Sequence, residues 1–209
     1  MANAVVARGL IPYRYRSGAP YNGAANIYYV PAANATALYI GDPVQILSGS
    51  ADGNGIPAVQ IITAGNGTDS GIGTYGLIGS VVGRVNGGEP IIPITQASNV
   101  YLPALTAGYI LVADDPFLLF EAQENGNMAG ATPTAGSVPG PGKNVDLVAG
   151  AGSTVTGYSG WQLGSASLST SALQMRVLRL LEQADNVLGT NAKWLTSINL
   201  HQFTNTTGE

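Results

Sequence analysis

Apolar residues along this chain come in short bursts: NIYYV at 26–30, TALYIGDPVQIL at 36–47, PAVQII at 57–62, LIGSVVGRV at 77–85, YILVA at 109–113, FLLFEAQ at 117–123, VDLVAG at 145–150 and WQL at 161–163. Gly, Pro and Asn clusters separate them, and β-branched and aromatic residues dominate inside them. Runs of this length between turn-forming residues read as strands. Twelve prolines spread along the chain oppose long helices, because Pro lacks the N–H that a helix interior needs. The pattern predicts a mainly β protein, an antiparallel sandwich or barrel of short strands with long Gly/Pro-rich loops.

Two later segments leave the periodicity open. In STSALQMRVLRLLEQADNVLG, Ser171 and Gln174 fit a capping box, and Leu173, Val177, Leu180 and Leu181 share a helical face. Local rules therefore favour a helix over about 171–184, while the alternation of Leu173, Met175 and Val177 permits a strand. If AKWLTSINLHQF is extended, Trp194, Thr196, Ile198 and Leu200 share one side, with Asn199 and His201 on the other. Loop-like stretches lie at 50–57, 64–76 and 125–144. The last is as long as a linker, but composition does not shift across it, and no fixed-period repeat occurs. The expected organisation is an extended N-terminal arm over residues 1–18 and a single β domain over 19–209, with a long loop near 125–144.

Composition narrows the function. Only 10% of the 209 residues are charged, while Gly numbers 29 and Tyr 10. A charge-poor surface of this kind suits a protein packed in an assembly better than a free monomer. The net charge of −4 opposes a general nucleic-acid binder, which needs Lys and Arg to displace counterions from phosphates. Charge is also segregated: residues 1–41 carry three Arg and no acid, and the remainder carries five basic and twelve acidic residues. With no cysteine there is no disulfide framework or thiolate chemistry. No run approaches the roughly 18 apolar residues of a membrane span, and MANAVVARGLIP lacks the core of a secretory leader. A soluble intracellular product without a membrane partner is expected.

Groups able to do chemistry are few. His201 is the single histidine, no Ser stands in a G-x-S-x-G elbow, and no metal-ligand cluster is evident, so neither metal nor cofactor is expected. Gly71, Gly73 and Gly76 fit G-x-G-x-x-G formally, but the run follows GNGTDS and precedes a Gly-interrupted segment, with Glu89 at the wrong distance for a ribose contact. Asp114, Asp115, Glu121 and Glu124 are the carboxylates a glycoside-cleaving enzyme would use. ADDP is also an ordinary strand end, since Asp caps turns and Pro presets the backbone. The N-terminal segment carries the richest recognition chemistry: Arg8, Tyr13, Arg14, Tyr15 and Arg16 combine the residue types most enriched at binding hot spots. If it is extended, Tyr13 and Tyr15 face one way and Arg14 and Arg16 the other, so one side packs and the other pairs with acids.

The segments YRYRSGAPYNGAANIYYVPAANATALYIGDPVQI, YILVADDPFLLFEAQEN, NVDLVAGAGSTVTGYSGWQL, MRVLRLLEQADNVLG and AKWLTSINLHQF, taken in order, resemble head-associated structural proteins of tailed bacteriophages that decorate or cement the capsid. The likeness runs from Tyr13 to Phe203. It implies a mainly β, non-enzymatic protein, made in the host cytoplasm and located on the virion head. There it would bind the major capsid protein, form homo-oligomers with trimers favoured, and make no direct contact with nucleic acid. It further implies that MRVLRLLEQ is a strand, against the local helix signal. Two other readings are a tail-associated or receptor-binding virion module, and a carbohydrate-active enzyme using the carboxylates above.

Overall fold

Alternating side chains can bury two faces at once only where two layers meet, and the apolar bursts form strands at such places. A computed structural model describes residues 3–65, 76–85, 100–130 and 138–204. Its strands are β1 (Ile11–Tyr15), β2 (Asn26–Val30), β3 (Pro43–Ala51), β4 (Pro57–Ile61), β5 (Gly79–Val85), β6 (Gly108–Ala113), β7 (Leu118–Gln123), β8 (Asn144–Val145), β9 (Leu147–Val148), β10 (Gln162–Leu163), β11 (Met175–Leu180) and β12 (Lys193–Ile198). Helical structure among the described residues is confined to two 3-10 turns, Ser165–Ser167 and Gln202–Thr204. The chain is mainly β, as its pattern predicts.

Five strands close a barrel in the order β2-β4-β3-β5-β6. Every pair is antiparallel except the closing one, where Tyr29 on β2 lies parallel to Ala58 on β4. Tyr28, Val30, Val44, Val59, Val81, Ile110 and Val112 fill the barrel with Leu38, Ile78 and Leu102. A second, wholly antiparallel sheet has the order β1-β7-β12-β11-β8. Its inner face and one side of the barrel enclose the larger core. Phe120, Met175, Val177 and Trp194 come from the sheet, Ile62, Leu77 and Ala113 from around the barrel. Burying each large side chain contributes about 1.5–3 kcal/mol, so this junction is the main apolar bond between the two layers. Of the long loop at 125–144, residues 131–137 lie outside the described set. Its near flank is built in, with Met128 and Ala129 in the larger core.

The helix favoured locally over 171–184 is not formed: Met175–Leu180 is β11, paired antiparallel with β12. Tertiary contacts explain the reversal. Gln174, which a capping box would turn back on Ser171, is fully buried; its Oε1 accepts the Leu147 N–H (2.9 Å) and its Nε2 donates to the Thr63 carbonyl (3.0 Å). Met175 and Val177 enter the core from one face of the strand, a partition that a helix over the same residues would destroy. Within β12 the expected alternation holds, with Trp194 and Ile198 in the larger core and Leu195 in a separate cluster, while beyond it Leu200 and His201 are both buried.

The segment expected as an arm is extended and lies along its own body. Asn3 bonds through its side chain to the Val187 and Thr190 carbonyls, and the Val6 N–H donates to Gln123 Oε1. Leu10, fully buried, donates its N–H to the Gly41 carbonyl at 2.8 Å, and β1 then forms an edge of the second sheet against β7. The crossing at Gly9 and Gly41 needs glycine twice over. Both have positive φ (+70° and +93°), and a Cβ on Gly41 would stand 1.9 Å from the Arg8 carbonyl oxygen.

Candidate interaction surface

Strand β1 decides where the N-terminal Tyr and Arg side chains go. Its register against β7 slips at Tyr13: Pro12 lies opposite Phe120, and Arg14 lies opposite Leu119. This bulge breaks the simple alternation, so the two tyrosines do not share a side as expected. Tyr13 is exposed, whereas Tyr15 packs on the larger core with its ring centroid 6.4 Å from that of Tyr21. Arg14 stands on the outer face of the sheet, and its Nε is buried with no hydrogen-bond partner. Arg16 is exposed and donates its N–H to the Phe117 carbonyl at 2.8 Å. Tyr15, Arg16, Ser17, Asp115 and Phe117 line a groove of about 430 Å³. Arg8 sits over the Tyr158 ring, 5.2 Å from its centroid, a cation–π contact.

The structure therefore gathers Arg14, Tyr15 and Arg16 at one corner, and it adds two residues that sequence reasoning missed. Phe117 is 65% exposed beside Arg16. Arg176 lies on the same outer face, because Arg14 pairs with Leu119, Leu119 with Ser197, and Ser197 with Arg176. A partial signal for Arg176 existed, since in MRVLRL it alternates with Met175 and Val177. Its nearness to Arg14 depends on strand order, which no local pattern encodes.

The four carboxylates considered for glycoside cleavage are each engaged in the fold. Asp114 accepts the Tyr28 hydroxyl (2.6 Å) and the Asn26 amide (3.0 Å to each oxygen), tying the end of β6 to β2. Asp115 caps the β6–β7 turn by accepting the Phe117 N–H at 2.7 Å, the turn role that ADDP suggests. Glu121 accepts from Gln183 Nε2 at 3.2 Å. Glu124 is fully buried, and accepts Trp194 Nε1–H (3.1 Å) through one oxygen and the Met128 N–H through the other. Burial pushes the Glu124 carboxyl up, opposed by these two donors.

His201 is 1% exposed and forms a parallel bridge to Leu77. Its Nδ1 accepts the Phe203 N–H at 3.2 Å. Burial lowers its affinity for a proton, against the opposing pull of the Asp114 backbone and carboxylate. The formal glycine motif at 71–76, apart from Gly76, and Glu89 lie outside the described residues.

A second hollow, of about 540 Å³, opens between the barrel and the 149–152 loop, with Trp161 and Asp42 among its lining residues. Asp42 is 2% exposed and accepts the Tyr39 N–H at 2.8 Å. Burial pushes its carboxyl up from the ordinary 3.8 to about 6, while the Ser159 hydroxyl and the Tyr39 N–H pull it back. Tyr39 stacks on Tyr101 (4.9 Å between centroids) and also lies against Gly152. Its ring is thus occupied by the fold. Comparisons of the chain with family models, curated proteins and solved structures found no match.

Proposed function

We propose that this chain is a structural protein of a tailed-bacteriophage head, which binds the outside of the capsid and cements neighbouring major capsid subunits. One observation carries the reading beyond the ordered sequence resemblance: the polar groups fall into two sets with different jobs. Carboxylates that could do chemistry are spent on holding strands together, as with Asp114 between β6 and β2 and Glu124 beneath Trp194. Arginine and aromatic side chains suited to recognition stand outward near one edge of a rigid sheet, as with Arg16 and Phe117. Such a molecule works by the area it covers. Each junction contributes modestly, and many copies on a closed shell sum to large resistance against expansion, as linked sites gain avidity. The barrel and sheet, locked through one core, serve as a stiff spacer between contacts. A homo-oligomer, with a trimer favoured, would multiply those contacts at a local symmetry axis.

The expected result is that the chain co-purifies with intact heads at a fixed ratio to the major shell protein. Heads assembled without it should open at lower temperature or lower osmotic stress. Purified heads that contain none of it would refute the assignment.

A further inference from the structure

Strand register, and not proximity in sequence, collects the chain's cations. The pairings Arg14 with Leu119, Leu119 with Ser197, and Ser197 with Arg176 place Arg14 and Arg176 in one row across four strands. Directly paired residues share a face, and this is the outer one: Leu119 belongs to a small apolar cluster with Leu181 and Leu195, separate from the larger core. Arg16 is two residues beyond Arg14, beside Phe117. Arg179 lies opposite Leu195 in the next row, and Lys193 opposite Gln123 in the row after that. Five of the eight Lys and Arg residues thus belong to this face.

Acids answer only part of that charge. Arg179 pairs with Glu182 (2.9 Å) and Lys193 with Asp185 (3.0 Å). Glu121 is also on the face, where it accepts from Gln183, and Asp115 lies at its rim, lining the same groove as Arg16. Arg14, Arg16 and Arg176 belong to no ion pair among the described residues. Among the described residues, Arg14 Nε is a buried donor with no acceptor, and Arg176 spends its Nε on Asn144 Oδ1 at 3.0 Å. Setting five cations against Glu121, Glu182, Asp185 and the rim Asp115 leaves the face at +1. The rest of the chain then carries −5, since the total is −4.

From this complementarity we infer that the outer face of the second sheet, through Arg14, Arg16 and Arg176 with Phe117 as apolar anchor, docks a carboxylate-rich protein surface. Three strand spacings separate Arg14 from Arg176, about 14 Å between Cα atoms. That exceeds the Debye length of about 8 Å at physiological salt. The free protein therefore tolerates the row with little mutual repulsion, while a partner whose carboxylates lie opposite each guanidinium gains a separate contact at each. Arginine stems can cover apolar surface while the planar heads donate paired hydrogen bonds to a carboxylate. Phe117, 65% exposed next to Arg16, supplies the contact area that charge alone lacks. Nucleic acid is the poorer fit, since three free cations neutralise only about three phosphates against a body of net negative charge.

This inference takes the proposed surface-binding role as its premise and names the chemistry of the partner, but its test needs no capsid. The full-length chain is titrated with poly-L-glutamate and, separately, with a duplex DNA of matched charge, at low and at physiological salt. Binding to polyglutamate, weakened by salt, is expected. The variant Arg14→Glu/Arg16→Glu/Arg176→Glu should bind at least about tenfold more weakly, because each exposed pair is worth a few-fold and reversal adds repulsion. The single variant Arg16→Glu, at the exposed end of β1, should lose about threefold without disturbing the sheet. Absence of polyglutamate binding, tighter binding to DNA, or equal binding by the folded triple variant would each overturn the inference. If the chain is on purified heads and the triple variant joins them at the parental ratio, the inference fails while the cement reading stands. If heads lack the chain but polyglutamate binds in an Arg-dependent way, the reverse holds.

Discussion

Replacing Trp194 with alanine should cost about 5 kcal/mol, enough to leave much of the chain unfolded at 37 °C. Trp194 is fully buried at the centre of the core that joins the sheet to the barrel. Removing a buried Trp side chain costs about 3–5 kcal/mol in transfer and cavity terms. A second loss adds to it. The indole N–H is one of two donors to the fully buried Glu124 carboxylate, and an acceptor left short of its partner inside a protein costs about 1–3 kcal/mol more. Trp194→Phe keeps most of the volume and deletes the donor, so it should cost only the second part. Urea unfolding of both variants checks the partition: a Phe variant as damaged as the Ala variant would mean that the hydrogen bond, and not the packing, holds the junction.

The second large effect is on pH dependence. Burial raises the Asp42 carboxyl from 3.8 to about 6 in the folded chain, so between these values the folded state holds a proton that the unfolded state has lost. Stability from this group therefore falls as pH rises from about 4 to about 6 and stays lower above that. The full span is on the order of 3 kcal/mol. Glu124, also raised by burial, acts in the same direction. His201 acts oppositely: burial lowers its proton affinity below the ordinary 6.5, so acidification below that value favours the unfolded chain. Total stability therefore mixes the signs. The difference between parent and Asp42→Asn isolates the carboxyl, and it should shift by about 2 kcal/mol against the parent between pH 4 and pH 7. A difference that does not change with pH would show that Asp42 titrates as it does in water.

The strands were legible where a single burst both alternates and ends in turn residues, as in NIYYV, YILVA and FLLFEAQ. They were obscured where a distant partner chose between two periods. Ser171 to Ala184 satisfies helical spacing locally, and its Met175–Leu180 becomes a strand because β12 and the buried contacts of Gln174 reward extension. The Tyr13–Arg16 cluster was visible as recognition chemistry, but the bulge that separates Tyr13 from Tyr15 is a matter of register with β7, which the segment itself does not encode. Arg176 was hidden for the same reason: Arg14 joins its row from three strands away, across β12 and β7. Asp42 looks like an ordinary turn residue in IGDP, and only the closure of the barrel against the 149–161 loop buries it.

The central claim is that this chain acts by covering a partner with the outer face of its second sheet. A reconstruction of purified heads carrying the chain tests it most directly. The account predicts Arg14, Arg16, Phe117 and Arg176 inside the contact with the shell protein, opposite acidic side chains. Density that turns this face to solvent, with the chain attached through another surface, would contradict it.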